Sequence, residues 1–157
     1  MTMIYKHPVF ARIVLVAVLA LAFTATSWAA AGNFLYAQTK TTLSSSAFPN
    51  VPIDGLTITL PAAAEPFNAA VVTLNMPNLS LSGTGTAGVS VLSGLDGAEF
   101  AGVTIYNGYT SLTIVVRVPL NSAPLPIVAE WVSYSGATIT TQNFASISAI
   151  LVHEGSQ

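Results

Sequence analysis

The residues able to do chemistry are few and scattered. Downstream of residue 31 there is one histidine, His153, close to the C-terminus. The six acids are Asp54, Glu65, Asp96, Glu99, Glu130 and Glu154, and the closest pair is Asp96 and Glu99 in "DGAE". Cysteine is absent, which removes thiolate chemistry, disulfides and cysteine metal sites. An activated nucleophile needs a base beside it and a third group to orient that base. A single histidine near the chain end does not supply this, so no catalytic residue is assigned. Asp96 and Glu99 are a conceivable calcium pair or a glycosidase-like carboxylate pair. Their place after "SGLDG" (93–97) reads instead as a solvated hairpin turn. No metal and no cofactor are expected.

What remains is a neutral set: Tyr106, Tyr109 and Tyr134 with Asn107, Thr110, Thr138, Thr140, Thr141 and Gln142. Such residues suit sugars. A ring face packs on the sugar's C–H face, and hydroxyls and amides meet its hydroxyl groups. Tyrosine and threonine are also good strand residues, so composition alone leaves a purely structural role open.

Hydrophobic residues make up 52% of the 157 residues and charged ones 6%, where an average soluble domain carries about 25% charged residues. The length suits one domain. The N-terminus has basic residues, Lys6 and Arg12, then an apolar run from Ile13 to Ala25, then small residues. A secretory signal has this form, and the run is short for a membrane span, which needs about 20 residues. Ser27-Trp28-Ala29 offers small residues at −3 and −1, so residues 1–29 are expected to be a signal peptide, with cleavage after Ala31 as the second choice. The expected location is secreted (extracellular, cell surface or periplasmic), with no membrane span after cleavage. The mature chain would keep Lys40 and Arg117 against six acids, a formal 2 − 6 = −4. Two separate cations release few counterions from a phosphate backbone, so nucleic acid is not an expected partner.

The positioning elements read as strands. "LTITL" (56–60) alternates, with Leu56, Ile58 and Leu60 on one face. "AAVVTLNM" (69–76) is ended by Pro77-Asn78, and "LSGTGTAG" (81–88) reads as a glycine-rich loop. "VSVL" (89–92), "AEFAGVTIY" (98–106), "SLTIVVRV" (111–118), "IVAEWVSY" (127–134), "ATITT" (137–141) and "FASISAILV" (144–152) follow. Asn107-Gly108 between two of these predicts a tight hairpin turn. Eight or nine short strands with turns about every ten residues predict an antiparallel sandwich or jelly roll. Residues 30–54 are expected to be an extended lead-in and 55–152 the domain. Several strands are apolar on both faces. In 144–152, Ala145, Ile147, Ala149 and Leu151 oppose Phe144, Ser146, Ser148 and Ile150. A lone sandwich has a more polar outer face, which predicts burial of one face against other copies.

"LNMPN" (74–78) and "EWVSYSGATITTQNFASISAIL" (130–151) resemble bacterial TNF/C1q-like jelly-roll domains, in particular the fucose-binding TNF-like lectin domain of bacterial superlectins. That family shows a Leu-Asn-Val-Pro turn, a Trp followed by a Gly, and an aromatic-Ala-Ser-Leu-Ser-Ala-Ile last strand. The matching residues are Leu74 to Pro77, Trp131, Gly136 and Phe144 to Ile150. The resemblance covers about 55–151. It implies a homotrimer with sugar sites between subunits. Tyr106 matches a site tyrosine of the family. The two site arginines fall near Tyr109 and on Ser135, a site histidine on Thr140, and a site tyrosine on Ser80. Without the arginine forks, which give directional hydroxyl recognition, sugar specificity is expected to differ. The candidate carbohydrate residues are Tyr106, Asn107, Tyr109, Ser135 and Thr140. The expected function is a secreted, non-enzymatic binding protein, carbohydrate included. The alternative is a structural or adhesive surface component that takes no small ligand.

Overall fold

The computed structural model describes residues 32–155, apart from 107 and 143, and the main chain alone of Tyr109. The expected signal peptide lies outside the described residues. The described residues form ten strands: β1 (Phe34–Gln38), β2 (Leu43–Ser45), β3 (Val51–Leu60), β4 (Ala69–Ser82), β5 (Thr86–Ser93), β6 (Glu99–Ile105), β7 (Gly108–Pro119), β8 (Leu125–Tyr134), β9 (Thr138–Thr141) and β10 (Ser146–Val152). Among the described residues, no helix is long and apolar enough to cross a membrane.

The strands form two antiparallel sheets. The first is built on the long strand β4, which pairs with β7 along one side. On its other side β10 pairs with residues 69–75 and β9 with residues 80–82. β1 lies outside β10 and β2 outside β9. The second sheet has the order β3-β8-β5-β6. Taking β1 with β2 and β9 with β10 as interrupted single strands leaves eight, ordered 1-8-3-6 and 2-7-4-5. Every connection then crosses between sheets except the β5–β6 hairpin. This is a jelly roll, as the strand pattern predicts. Of the segment expected as a lead-in, Phe34–Gln38, Leu43–Ser45 and the start of β3 are strands of the two sheets.

The period-2 alternation places the core between the sheets. Leu56, Leu60, Val72, Leu74, Met76, Leu79, Ile127, Ile139 and Ile147 are fully buried, and Trp131 is buried with them. Burying each such side chain is worth about 1.5–3 kcal/mol. The buried polar side chains Thr39, Ser93, Ser133 and Thr141 all hold hydrogen bonds. Thr39 donates to the Ala145 carbonyl, Ser133 to that of Ala137 and Thr141 to that of Gln142, while Ser93 Oγ accepts from the Leu95 N–H. No buried side-chain polar atom among the described residues is left unpaired.

Four local expectations are corrected. Pro77-Asn78 does not end a strand. The two residues stand against one on β7 between the Met76–Leu112 and Leu79–Thr110 pairs, and Asn78 adopts φ 55°. This is a bulge, and the extra residue lets β4 run on. The glycine-rich stretch 81–88 is mostly strand, with just 83–85 between β4 and β5. Asn107-Gly108 does not close a hairpin, because β6 pairs with β5 and β7 with β4. Its chain passes from one sheet to the other, and Asn107 itself lies outside the described residues. Phe144 precedes the last strand, at φ 79° and 63% exposed, so it is not core.

Candidate functional site

Four sheet-to-sheet connections lie at one end of the sandwich: 46–50, 135–137, 83–85 and the link from β6 to β7 that begins at Tyr106. They sit side by side in that order, because the strands they join are neighbours in both sheets. Local sequence explains the shape of two of them. Ser135 and Gly136 both take positive φ, at 54° and 79°, which turns the chain sharply. The 83–85 connection passes so close beneath this turn that Gly85 has no room for a side chain against the Tyr134 carbonyl.

The candidate residues are brought to this end, in separate places. Tyr106 follows β6 and is 73% exposed. It lines a cleft of about 180 Å³ with Val103, Thr104, Ile105, Thr110 and Leu112. Ser135 is exposed and lines another cleft, of about 380 Å³, with Ser46, Phe48, Ser133, Tyr134 and Gly136. The 83–85 connection lies between the two. Thr140 and Tyr109 flank Ser80 in one lateral row, Ser44–Thr140–Ser80–Tyr109. That row spaces Thr140 and Tyr109 about 10 Å apart at the main chain. Ser44 and Thr140 hydroxyls share a 2.8 Å hydrogen bond. Asn107 lies outside the described residues. Thr141, a member of the wider neutral set, is fully buried and is not available to a ligand.

Two features were not singled out from sequence. The first is the ring pair Phe48 and Tyr134, with centroids 5.7 Å apart and planes tilted by 56°. The partners are distant in sequence and meet because 46–50 runs beside the end of β8. The second is a polar groove of about 260 Å³ on the outer face of the second sheet, lined by Asn50, Gly88, Ser90, Glu99, Gly102 and Tyr134 among others. Its sequence signal was Gly102, a single glycine inside the strand pattern 98–106, which marks a close approach; Gly88 lay in the stretch read as a loop.

Asp96 is fully exposed, and its carboxyl is held below the usual range by the Ser93 hydroxyl and the Ala98 N–H. It caps the β5–β6 hairpin, as expected for a turn. His153 Nδ1 meets the Pro66 carbonyl. Arg117 and Glu154 form a two-point ion pair at the end of the first sheet. Among the described residues, no group of three or more acids, histidines or cysteines is close enough to hold a metal.

No family model matches the sequence, and no curated protein matches it. Solved structures with some similarity include the CBM36-1 domain of a multidomain xylanase from the hindgut metagenome of Trinervitermes trinervoides. That match has 12% identity and TM-score 0.43, and covers 79% of this chain and 98% of the other. A carbohydrate-binding module CBM36 in complex with calcium and xylotriose matches at 12% identity and TM-score 0.43, covering 73% and 98%. The infectious bursal disease virus Gx strain structure matches at 14% identity and TM-score 0.44, covering 78% and 32%. These values are too low to bear on function, and the jelly-roll assignment rests on the strand order.

Proposed function

We propose that this chain is a secreted, non-enzymatic binding protein of TNF/C1q-like type, assembled as a homotrimer, with neutral glycans as its ligands. The observation that carries the binding role is the exposed end of the sandwich. There the topology gathers Tyr106, Ser135, Thr140 and the Phe48–Tyr134 pair, which are rings and small neutral hydrogen-bonding groups. Within one subunit Tyr106 and Ser135 occupy different clefts, so a site using both would need a neighbouring copy. The test is a glycan array with the mature protein and the Tyr106→Ala variant. Binding of neutral glycans that weakens in the variant is expected. Silence across the array at millimolar sensitivity would leave the alternative, a structural or adhesive component.

Self-association is supported by the outer face of the first sheet. Phe34, Tyr36, Val115 and Ile150 are all more than half exposed there. The register puts Phe34 beside Ile150 and Val71, and Tyr36 in the row of Ser148, Thr73 and Val115. Exposed apolar side chains of this number, with Ser148 and Thr73 between Tyr36 and Val115 and Arg117 at the end of the Phe34 row, support an interaction face. Light scattering should report a trimer at micromolar concentration, and Ile150→Lys should shift it toward monomer. A wild-type monomer would refute the assembly.

A further inference from the structure

The outer face of the second sheet carries a groove that meets the end-of-sandwich surface at Tyr134 and otherwise lies apart from it. Two glycines form part of its floor. In the register, Val132, Gly88 and Thr104 form one row, and Glu130, Ser90 and Gly102 the next. Gly88 and Gly102 therefore lie diagonally on adjacent strands of a trough, with Val132 and the Glu99 side chain leaning over them. It runs from Glu99 and Gly102 on β6, over Ser90 and Val132, to Asn50 before β3. Three strand spacings give it a length of about 14 Å. Tyr134 closes one side, and Phe48 packs against that ring.

The lining is specific in kind. Asn50 offers both donor and acceptor, Ser90 a hydroxyl, and Glu99 a carboxylate that can accept from two hydroxyls. Tyr134 adds a partly exposed ring face. The cations among the described residues lie elsewhere. Arg117 is on β7 of the first sheet and pairs with Glu154, and Lys40 follows β1. Glu99, with Glu130 in the adjoining row, thus sets a negative field in the groove, which penalises anionic ligands.

We propose that this groove binds a short neutral oligosaccharide laid across strands β6, β5 and β8, and that Glu99 excludes sugars bearing carboxylate or sulfate. The proposal rests on the binding reading above but places a ligand at a different site. Burial of the first sheet's outer face in an oligomer would leave the groove open, because the two sheets face opposite ways.

The experiment uses amide chemical shifts of the labelled mature protein titrated with neutral tri- and tetrasaccharides and their uronate counterparts. Shifts at Gly88, Ser90, Gly102 and Val132 with neutral sugars, and none with uronates, are expected. Gly102→Val fills the trough. Its new Cβ meets the Glu99 carboxylate, and Ser90 Oγ at 2.7 Å, both ends of mobile side chains, so the sheet can accept it. This variant should weaken binding by about tenfold or more while Tyr106→Ala leaves groove shifts unchanged. Glu99→Gln should admit uronates. Shifts confined to the Tyr106 and Ser135 end, with Gly102→Val neutral, would overturn the groove and keep the end site. No shifts with any sugar would overturn both. If Gly102→Val unfolds, the location of the wild-type shifts decides the matter.

Discussion

Replacing Gly85 with alanine is expected to cost about 3 kcal/mol or more. An added Cβ would overlap the Tyr134 carbonyl oxygen and approach its carbon to 2.9 Å and the Ser135 oxygen to 3.0 Å. These are main-chain atoms at the β8–β9 turn, so no side-chain rotation relieves the clash. Either the 83–85 connection or the 134–136 turn must move. Denaturant unfolding should show the loss as a lower midpoint. Thr84→Ala, on the exposed neighbouring residue, should stay within about 0.5 kcal/mol. A Gly85→Ala protein as stable as wild type would show that the two connections do not approach this closely. Since Ser135 rides on the same turn, a folded variant should also have an altered end-of-sandwich surface.

Truncation of Trp131 to alanine is expected to cost about 3–5 kcal/mol, or a fall in Tm of about 10–20 °C for a domain of this size. The side chain is 4% exposed at a central position of β8, paired with Val51 on one side and Val89 on the other. Removing the indole leaves a cavity between two sheets whose strands are locked by hydrogen bonds, so collapse around it is limited. Thermal unfolding measures the effect directly. Trp131→Phe, which keeps most of the volume, should lose markedly less. Equal losses for both variants would mean that packing volume is not what Trp131 contributes.

Several elements could be read from the chain because they depend on local periodicity. The face of Leu56, Ile58 and Leu60 is buried as the alternation of "LTITL" requires. In the last strand Ile147 and Ala149 are buried while Ile150 is exposed, again following the alternation. The excess of apolar residues on outward positions was visible as well, as at Ile150, while Phe34 and Tyr36, in the segment read as a lead-in, join that surface only in the fold. The local readings that failed were those in which turn chemistry stood in for pairing. Asn107-Gly108 looks the same whether the next strand pairs with the last one or crosses to the other sheet. Pro77-Asn78 looks the same at a strand end and in a bulge. In each case the outcome depends on a distant strand.

The candidate site shows the same division. Tyr106, Ser135 and Thr140 were picked out by residue type and resemblance, but nothing local says that the 83–85 connection stands between the first two. The groove was less visible still, since Gly88 and Gly102 reach adjacent strands through the β5–β6 hairpin and meet Asn50 and Val132 only through β8. By itself, then, the order of residues determined an all-β chain, its inward and outward faces, its low charge and its lack of cysteine chemistry, because these follow from side-chain type and a two-residue repeat. Tertiary structure alone decided which strands pair, the separation of Tyr106 from Ser135, and the trough on the second sheet. Hydrogen-bonded strand pairing brings together residues far apart in the chain, and the shape of a surface comes from which ones meet.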